Sequence, residues 1–254
     1  MRTLLLVFLL LPASLWAESP ASAEFWQRSD LERQLDQDEV KIIAAGESEF
    51  LTLQLPAMTA EVKGTALLIP DGSQHPASPR YIQTLRQQLI DYGWNTIAIL
   101  PPEAAADDST EALEQYQQLL LQRVVAATTA ARQNSGYLIV LAQGNNGALV
   151  AQLYADKKIP EPESLVLLSA YHPLQAGNKQ LAQWIAKLAI PTLDLKQQKD
   201  NSVLDGHWRL RQQWVNKENK LLYRQRELPG DMKSPLWQEQ MLKEVYGWLS
   251  YQGY

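Results

Sequence analysis

The sequence predicts an α/β fold in which a mostly parallel central sheet carries helices on both faces. Short runs that are apolar at every position alternate along the chain with longer amphipathic segments, and most of these runs end at a proline, a glycine or a polar turn. Two segments near the N-terminus alternate in part between apolar and polar residues, which predicts an antiparallel hairpin ahead of that sheet. The 254 residues, 46% hydrophobic and 20% charged, suffice for one large domain with a sizeable core.

Residues 1–23 predict a signal peptide that precedes the fold. A positive charge at the start is followed by an apolar run over residues 4–11, which is too short to cross about 30 Å of hydrocarbon. Cleavage is expected after Ala17 or after Ala23, which leaves residues 24–254 as a single domain. We therefore expect a periplasmic or secreted protein. An uncleaved membrane anchor and a buried helix are the alternatives for this segment.

Composition and charge exclude several functions. The chain has 28 acidic and 23 basic residues, a net charge of −5, which argues against binding to nucleic acid. It has no cysteine, so disulfides, thiolate metal sites, a cysteine nucleophile and a lipidated N-terminal cysteine are excluded. No second apolar stretch approaches membrane length, so we expect no membrane span after removal of the signal peptide. We also expect no cofactor.

The predicted elements before the central sheet are a helix and a hairpin. Residues 25–38 are charged, with Leu31 and Leu35 at helical spacing, which predicts a short amphipathic helix. Residues 40–44 and 50–55 predict the two strands of the hairpin, and a proline closes the second strand.

The rest of the chain alternates strands and helices. The predicted strands are short and apolar on both faces, as strands covered by helices on both sides should be. The predicted helices place apolar residues three or four positions apart, and glycines follow two of them at Gly93 and Gly136. In chain order we predict strand 65–69, helix 81–92, strand 94–100, helix 111–132, strand 137–141, a helix through residue 154, strand 165–168, helix 178–188, strand 192–195, helix 208–215, strand 221–226 and helix 236–251.

The segment 138–148 resembles the nucleophile elbow of the α/β-hydrolase fold. In that family a small-x-nucleophile-x-small pattern joins the end of a strand to a helix. Here Ala142 takes the first small position, Gly144 the nucleophile position and Asn146 the second small position, with Asn145 between the last two. The resemblance implies an α/β-hydrolase-like sheet, but glycine has no side chain with which to attack a carbonyl.

A glycine at this turn has a physical explanation. The elbow holds its central residue in a strained backbone conformation, which glycine adopts without steric cost. An active enzyme tolerates the strain because the strain exposes the nucleophile. We interpret Gly144 as the mark of a non-catalytic descendant, although a structural glycine in another α/β fold would give the same pattern.

Other positions of the α/β-hydrolase pattern also depart from it. Asp71 and Gly72 follow a predicted strand and resemble the loop that supplies an oxyanion donor; a histidine is common at the first position, and Gly72 matches. A carboxylate there would oppose developing negative charge. Asp200 could match the catalytic acid, and a solvated loop carboxylate is the alternative. The general base should follow the strand 221–226, where residues 227–232 contain no histidine.

A more specific resemblance covers residues 38–252. The segment 93–101, the loop 72–76 and the Gly-x-x-Gly-Ala turn without a serine are similar to DUF3530, a family of exported proteobacterial proteins within the α/β-hydrolase clan. Membership implies the fold and export, but no established substrate.

Histidines and serines in predicted loops offer weaker candidates. His75 and His172 follow strand ends, the edge where such sheets bind ligands. Ser73 with His75, or Ser169 with His172, could form a displaced catalytic pair. His207 is predicted to begin a helix. No two histidines have helical ligand spacing, so we expect no metal site, and surface or loop-capping roles are the alternative.

Three functions remain open from the sequence. The first is a non-catalytic exported protein that binds a small molecule, a glycan or an envelope partner. The second is a serine esterase or peptidase with displaced catalytic groups. The third is an envelope scaffold protein without a pocket. A closed cavity over Gly144 would favour the third over the first.

Overall fold

A computed structural model describes residues 22–79, 81–104, 107, 109–198, 200, 202–230 and 234–254. The segment 1–21, with most of the predicted signal peptide and the cleavage site at Ala17, lies outside the described residues, whereas Ala23 begins the first helix. The strands are β1 (Val40–Ala45), β2 (Ser48–Leu55), β3 (Gly64–Ile69), β4 (Trp94–Ile99), β5 (Tyr137–Gln143), β6 (Ser164–Leu168), β7 (Thr192–Gln197) and β8 (Tyr223–Leu228). The helices are α1 (Ala23–Gln34), α2 (Ile82–Gln88), α3 (Thr110–Ala131), α4 (Gly144–Ala155), α5 (Gly177–Lys187), α6 (Ser202–Lys217) and α7 (Pro235–Tyr251).

The eight strands form one sheet in the order β1-β2-β4-β3-β5-β6-β7-β8. The β1–β2 hairpin is antiparallel, β2 pairs with β4 antiparallel, and the remaining neighbours are parallel. The predicted mostly parallel sheet with an N-terminal antiparallel hairpin is therefore confirmed.

Hydrophobic cores cover both faces of the sheet. On β5, Val140 and Ala142 pack in the core with α3, α4 and α5, whereas Ile139 and Leu141 pack in the core with α2 and α7. Because successive side chains of a strand point to opposite faces, a strand covered on both sides must be apolar at every position. This explains the continuous apolar runs of the central strands.

Several predicted elements have different bounds in the structure. The helix predicted over residues 25–38 spans Ala23–Gln34, and the helix predicted over residues 81–92 is α-helical over Ile82–Gln88 and 3-10 helical over Leu89–Tyr92. Helix α6 begins at Ser202, not at residue 208, because the Asp205-Gly206 pair that reads as a turn signal is accommodated inside the helix. His207 therefore lies within α6, with Nδ1 2.8 Å from the Val203 carbonyl oxygen, and its predicted position in the loop at the start of this helix is wrong. Strand β8 runs two residues later than predicted, and Leu221 before it is 91% exposed.

The parallel pairing places several loops at one edge of the sheet. The carboxyl ends of β3, β5, β6 and β7 lead into the loop after residue 69, the start of α4, the loop after residue 168 and the loop after residue 197. In parallel sheets this edge is where ligands bind. Of the helices within the described residues, none combines the length and apolar character that a membrane crossing requires.

Candidate functional site

The turn from β5 into α4 has no intervening residue. β5 ends at Gln143 and α4 begins at Gly144, whose φ is +59°. Three residues on, a Cβ at Gly147 would lie 2.9 Å from both the Ala142 carbonyl oxygen and the Ala170 Cβ. A small residue is therefore required at position 147, one position after the one that the elbow pattern indicated.

The side chain of Asp71 covers this turn. The β3–β5 register pairs Ile69 with Ala142, and continuing it by two residues sets Asp71 opposite Gly144. Neighbouring strands lie about 4.8 Å apart, so an aspartate side chain can reach across. A Cβ built on Gly144 would lie 2.6 Å from the carboxyl carbon of Asp71, and closer still to its Oδ2. A side chain at position 144 and the observed Asp71 carboxylate thus require the same space.

Hydrogen bonds hold Asp71 in this position. Its Oδ2 accepts the backbone N–H of Asn145 at 2.8 Å, and its Oδ1 accepts the backbone N–H and the hydroxyl of Ser73 at 3.0 and 2.7 Å. The backbone N–H of Gly72 donates to the side-chain Oδ1 of Asn145 at 2.8 Å. In the elbow geometry, an oxyanion hole uses the N–H after the nucleophile and an N–H from the loop after the third strand. The N–H groups at these two positions, those of Asn145 and Gly72, already donate to side chains of the same protein.

A second layer of hydrogen bonds links α3 to the turn. The Tyr116 hydroxyl donates to Asn146 Oδ1 at 2.8 Å, and Asn146 Nδ2 donates to the Pro70 carbonyl oxygen at 2.8 Å. Asn146 is fully buried. Burial raises the pKa of the Tyr116 hydroxyl far above its usual range, and the Asp71 charge adds to this effect, so the hydroxyl keeps the proton that it donates.

An open cavity of about 200 Å³ lies over Asp71 and Asn145. Tyr116 and Tyr171 contribute aromatic walls, and a second cavity of about 220 Å³ extends from the Gly72–Ser73 loop to the start of α1. Burial raises the pKa of Tyr171, and the negative charges of Asp71 and Asp200 raise it further. The described residues that line the first cavity are Asp71, Gly72, Ser73, Ala104, Asp107, Leu113, Tyr116, Asn145, Tyr171, Pro173 and Leu174.

Asp200 lies in the loop after β7 and contacts the end of β6. Its Oδ2 accepts the Ser169 hydroxyl and the backbone N–H of Gln197, the latter at 3.0 Å. Ser169 has a φ of +50°, and its Oγ is 2.6 Å from the Tyr81 hydroxyl oxygen. The half-buried carboxylate is therefore hydrogen-bonded to the ends of β6 and β7.

The structure does not bring either predicted serine–histidine pair into a hydrogen bond. The Ser73 hydroxyl donates to Asp71, and the Ser169 hydroxyl to Asp200. His75 Nδ1 is buried without a hydrogen-bond partner among the described residues, and burial lowers the pKa of this histidine. His172 is buried, and its Nδ1 accepts the backbone N–H of Leu174 at 3.1 Å.

The segment 227–232, where the general base was expected, is described only as far as Gly230. Asp231 and the two residues that follow it lie outside the described residues. In the part of the chain that the structure describes, no three histidine or carboxylate side chains gather closely enough to hold a metal ion.

The aromatic part of the site was not predicted from the sequence. Tyr116 lies among the regularly spaced apolar residues on the buried face of α3, and Tyr171 belongs to no motif that we recognised. A tyrosine in an otherwise aliphatic stripe is a usable signal, because its buried hydroxyl needs a hydrogen-bond partner.

Comparison with solved structures defines the class of fold. The chain is similar to Est1E from Butyrivibrio proteoclasticus, with a TM-score of 0.59 and 14% identity over 82% of this chain and 99% of that one. It is also similar to a dienelactone hydrolase from Anabaena variabilis ATCC 29413, with a TM-score of 0.62 and 14% identity over 84% and 96% of the two chains. The carboxylesterase Cest-2923 from Lactobacillus plantarum WCFS1 gives a TM-score of 0.63 and 14% identity over 85% and 97%. The protein has an α/β-hydrolase fold.

Sequence comparison defines the family. The family described as "Protein of unknown function (DUF3530)" matches residues 3–114 and 103–251, and the chain belongs to it. No curated protein is significantly similar to the chain in sequence.

Proposed function

We propose that this protein is a non-catalytic member of the α/β-hydrolase fold that binds a ligand in the cavity over Asp71 and Asn145. The ligand would be a small molecule, a glycan or a group on an envelope partner. The observation that carries the proposal is the position of the Asp71 carboxylate, which fills the space that a nucleophile on residue 144 would need.

The electrostatics at the turn support the proposal. Acyl transfer develops negative charge on the substrate oxygen, and the N–H groups that would stabilise this charge must be free to donate. Here the Asn145 N–H donates to the Asp71 carboxylate and the Gly72 N–H to the Asn145 side chain. A substrate oxyanion would have to displace both acceptors, and it would then approach a buried carboxylate.

The cavity supports binding over a scaffold role without a pocket. The space of about 200 Å³ is open and has both apolar and polar walls, as ligand sites usually have. The N-terminal sequence supports export, so we place the protein in the periplasm or outside the cell.

The experiment is a hydrolysis assay of the purified mature protein on p-nitrophenyl esters of two to eight carbons and on peptide anilides. We expect rates equal to buffer. Ser73→Ala and Ser169→Ala serve as matched controls: turnover that either substitution abolishes would overturn the proposal and support the alternative, a hydrolase with displaced groups. Turnover that survives both substitutions and copurifies with the protein would also overturn it.

A further inference from the structure

The floor of the cavity carries a buried charge without a counter-charge. Asp71 is 7% exposed, and among the described residues no lysine, arginine or histidine forms an ion pair with it. Its three hydrogen bonds come from a serine hydroxyl and two backbone N–H groups, one of them in the first turn of α4, so the helix dipole offsets part of the charge but no full positive charge faces it. Buried charges in proteins are normally paired, so an unpaired one that lines a cavity calls for a partner from outside.

The other carboxylates around the two cavities have an ion-pair partner, a hydrogen-bond donor or contact with solvent. Glu24 pairs with Arg123 at 2.6 Å, and Glu103 accepts the backbone N–H of Ala23 at 3.2 Å. Asp107 is exposed at the rim of the cavity. None of the described residues that line either cavity is a lysine, an arginine or a histidine. An anionic ligand would therefore meet uncompensated negative charge on entry.

The walls above Asp71 suit a cation on an apolar stem. Tyr116 and Tyr171 offer aromatic rings, which attract ammonium and guanidinium groups electrostatically. Leu113, Pro173 and Leu174 add apolar surface. The volume of about 200 Å³ is smaller than the roughly 300–1,000 Å³ of sites for drug-sized ligands, so it fits one small amine or one side chain.

We propose that the cavity binds a single alkylammonium or guanidinium group, with Asp71 as its counter-ion and the two tyrosines as its walls. This inference rests on the proposed binding function and names the class of ligand. The group could come from a free organic amine or from a lysine or arginine side chain of a polypeptide. Asp71 and the two tyrosines would contact the cationic group in the same way in both cases.

The test uses three probes of similar size and different charge: benzylamine, benzyl alcohol and benzoate, titrated at pH 7 into the ¹⁵N-labelled mature protein. We expect benzylamine to shift the amide signals of Gly72 and Asn145 and to bind at least tenfold more tightly than benzyl alcohol, and we expect no binding of benzoate. Asp71→Asn should weaken benzylamine binding about tenfold. Asp156→Asn, the same charge change about 18 Å away at the other end of α4, should weaken it less than twofold.

A blocked lysine tripeptide and its ε-acetylated counterpart distinguish the two sources. Binding of the tripeptide that acetylation abolishes identifies a polypeptide side chain; binding of benzylamine alone identifies a free amine, and both results support the inference. Benzyl alcohol or benzoate binding as tightly as benzylamine would overturn it while leaving the binding function intact. Failure of every probe to shift these amides would overturn it as well. The proposed function fails on a different readout, ester or anilide turnover.

Discussion

Asp71 and Gly144 lie opposite each other where β3 and β5 end, and the carboxylate of the first occupies the space that a side chain on the second would need. The two positions are coupled, because a side chain at position 144 would overlap the observed Asp71 carboxylate. The geometry of this pair therefore supports our proposal that the turn carries no nucleophile.

Gly144→Ser should destabilise the fold and should not produce an esterase. Forcing atoms into occupied space costs about 1–3 kcal/mol, and the left-handed φ of +59° adds about 1–2 kcal/mol for a non-glycine residue. We expect a loss of about 2–5 kcal/mol in the free energy of unfolding, measured by urea denaturation.

Two variants control this substitution. Gly247→Ser, on the exposed face of α7 with open space around it, should change stability by less than about 0.5 kcal/mol. In an Asp71→Ala background, Gly144→Ser should cost less by about 0.5–3 kcal/mol, since the overlap with the carboxylate is gone and only the 2.9 Å approach to the Cβ of residue 71 remains. Equal costs in both backgrounds would show that Asp71 does not restrict position 144.

The buried ion pair between β7 and α6 should be essential for stability. Arg211 Nη1 lies 3.0 Å from both oxygens of Asp194, both side chains are fully buried, and Arg211 also donates to the Ala170 carbonyl oxygen. Arg211→Met leaves the Asp194 charge uncompensated and should cost about 3–5 kcal/mol by urea denaturation.

Exposed Arg209 on the same helix is the matched control. Arg209→Met should cost less than about 0.5 kcal/mol. The double variant Asp194→Leu with Arg211→Met should recover part of the loss, because it removes both charges together. A cost below about 1 kcal/mol for Arg211→Met alone would contradict the inferred importance of this pair.

Stability should fall as the solution is acidified through the histidine range. Burial lowers the pKa of His172 from its usual value of 6.5, and the Leu174 carbonyl oxygen, which lies 3.1 Å from Nδ1 and can accept from the protonated ring, only partly offsets this effect. Below about pH 6.5 the unfolded chain binds a proton that the folded chain does not, so protonation favours unfolding. His75 acts in the same direction.

The measurement is the urea midpoint between pH 8 and pH 5 for the wild type and His172→Asn. The asparagine keeps an acceptor for the Leu174 N–H but cannot be protonated in this range. The decline should be shallower in the variant. Identical slopes would show that His172 does not contribute to the pH dependence.

Ser22 should stabilise α1 as its N-terminal cap. Its side chain accepts the backbone N–H of Phe25 at 3.2 Å. Ser22→Ala should cost about 0.5–2 kcal/mol in thermal or urea unfolding. A chain beginning at residue 24, which corresponds to cleavage after Ala23, lacks this cap and should be destabilised relative to one beginning at residue 18. Equal stability of the two chains would exclude a role for the cap.

The strands and helices could be predicted because their signals are local. Continuous apolar runs located the central strands, partial alternation located the hairpin and helical spacing located the helices, and the β5–α4 turn could be recognised from its glycines. The start of α6 could not, since Asp205-Gly206 carries a turn signal that tertiary packing overrides. The contact of Asp71 with Gly144 depends on the register of β3 against β5, which no local pattern of either strand encodes. The sequence placed both residues in the candidate site without showing that one covers the other.

The most direct test of the central claim is the intact mass of the mature protein after incubation with a fluorophosphonate probe, followed by peptide mapping. These probes add covalently to an activated serine, and their addition needs the same oxyanion stabilisation as acyl transfer. We predict no mass increase under conditions that fully label an active serine esterase. A stoichiometric adduct mapped to any serine, Ser73 and Ser169 included, would contradict the account.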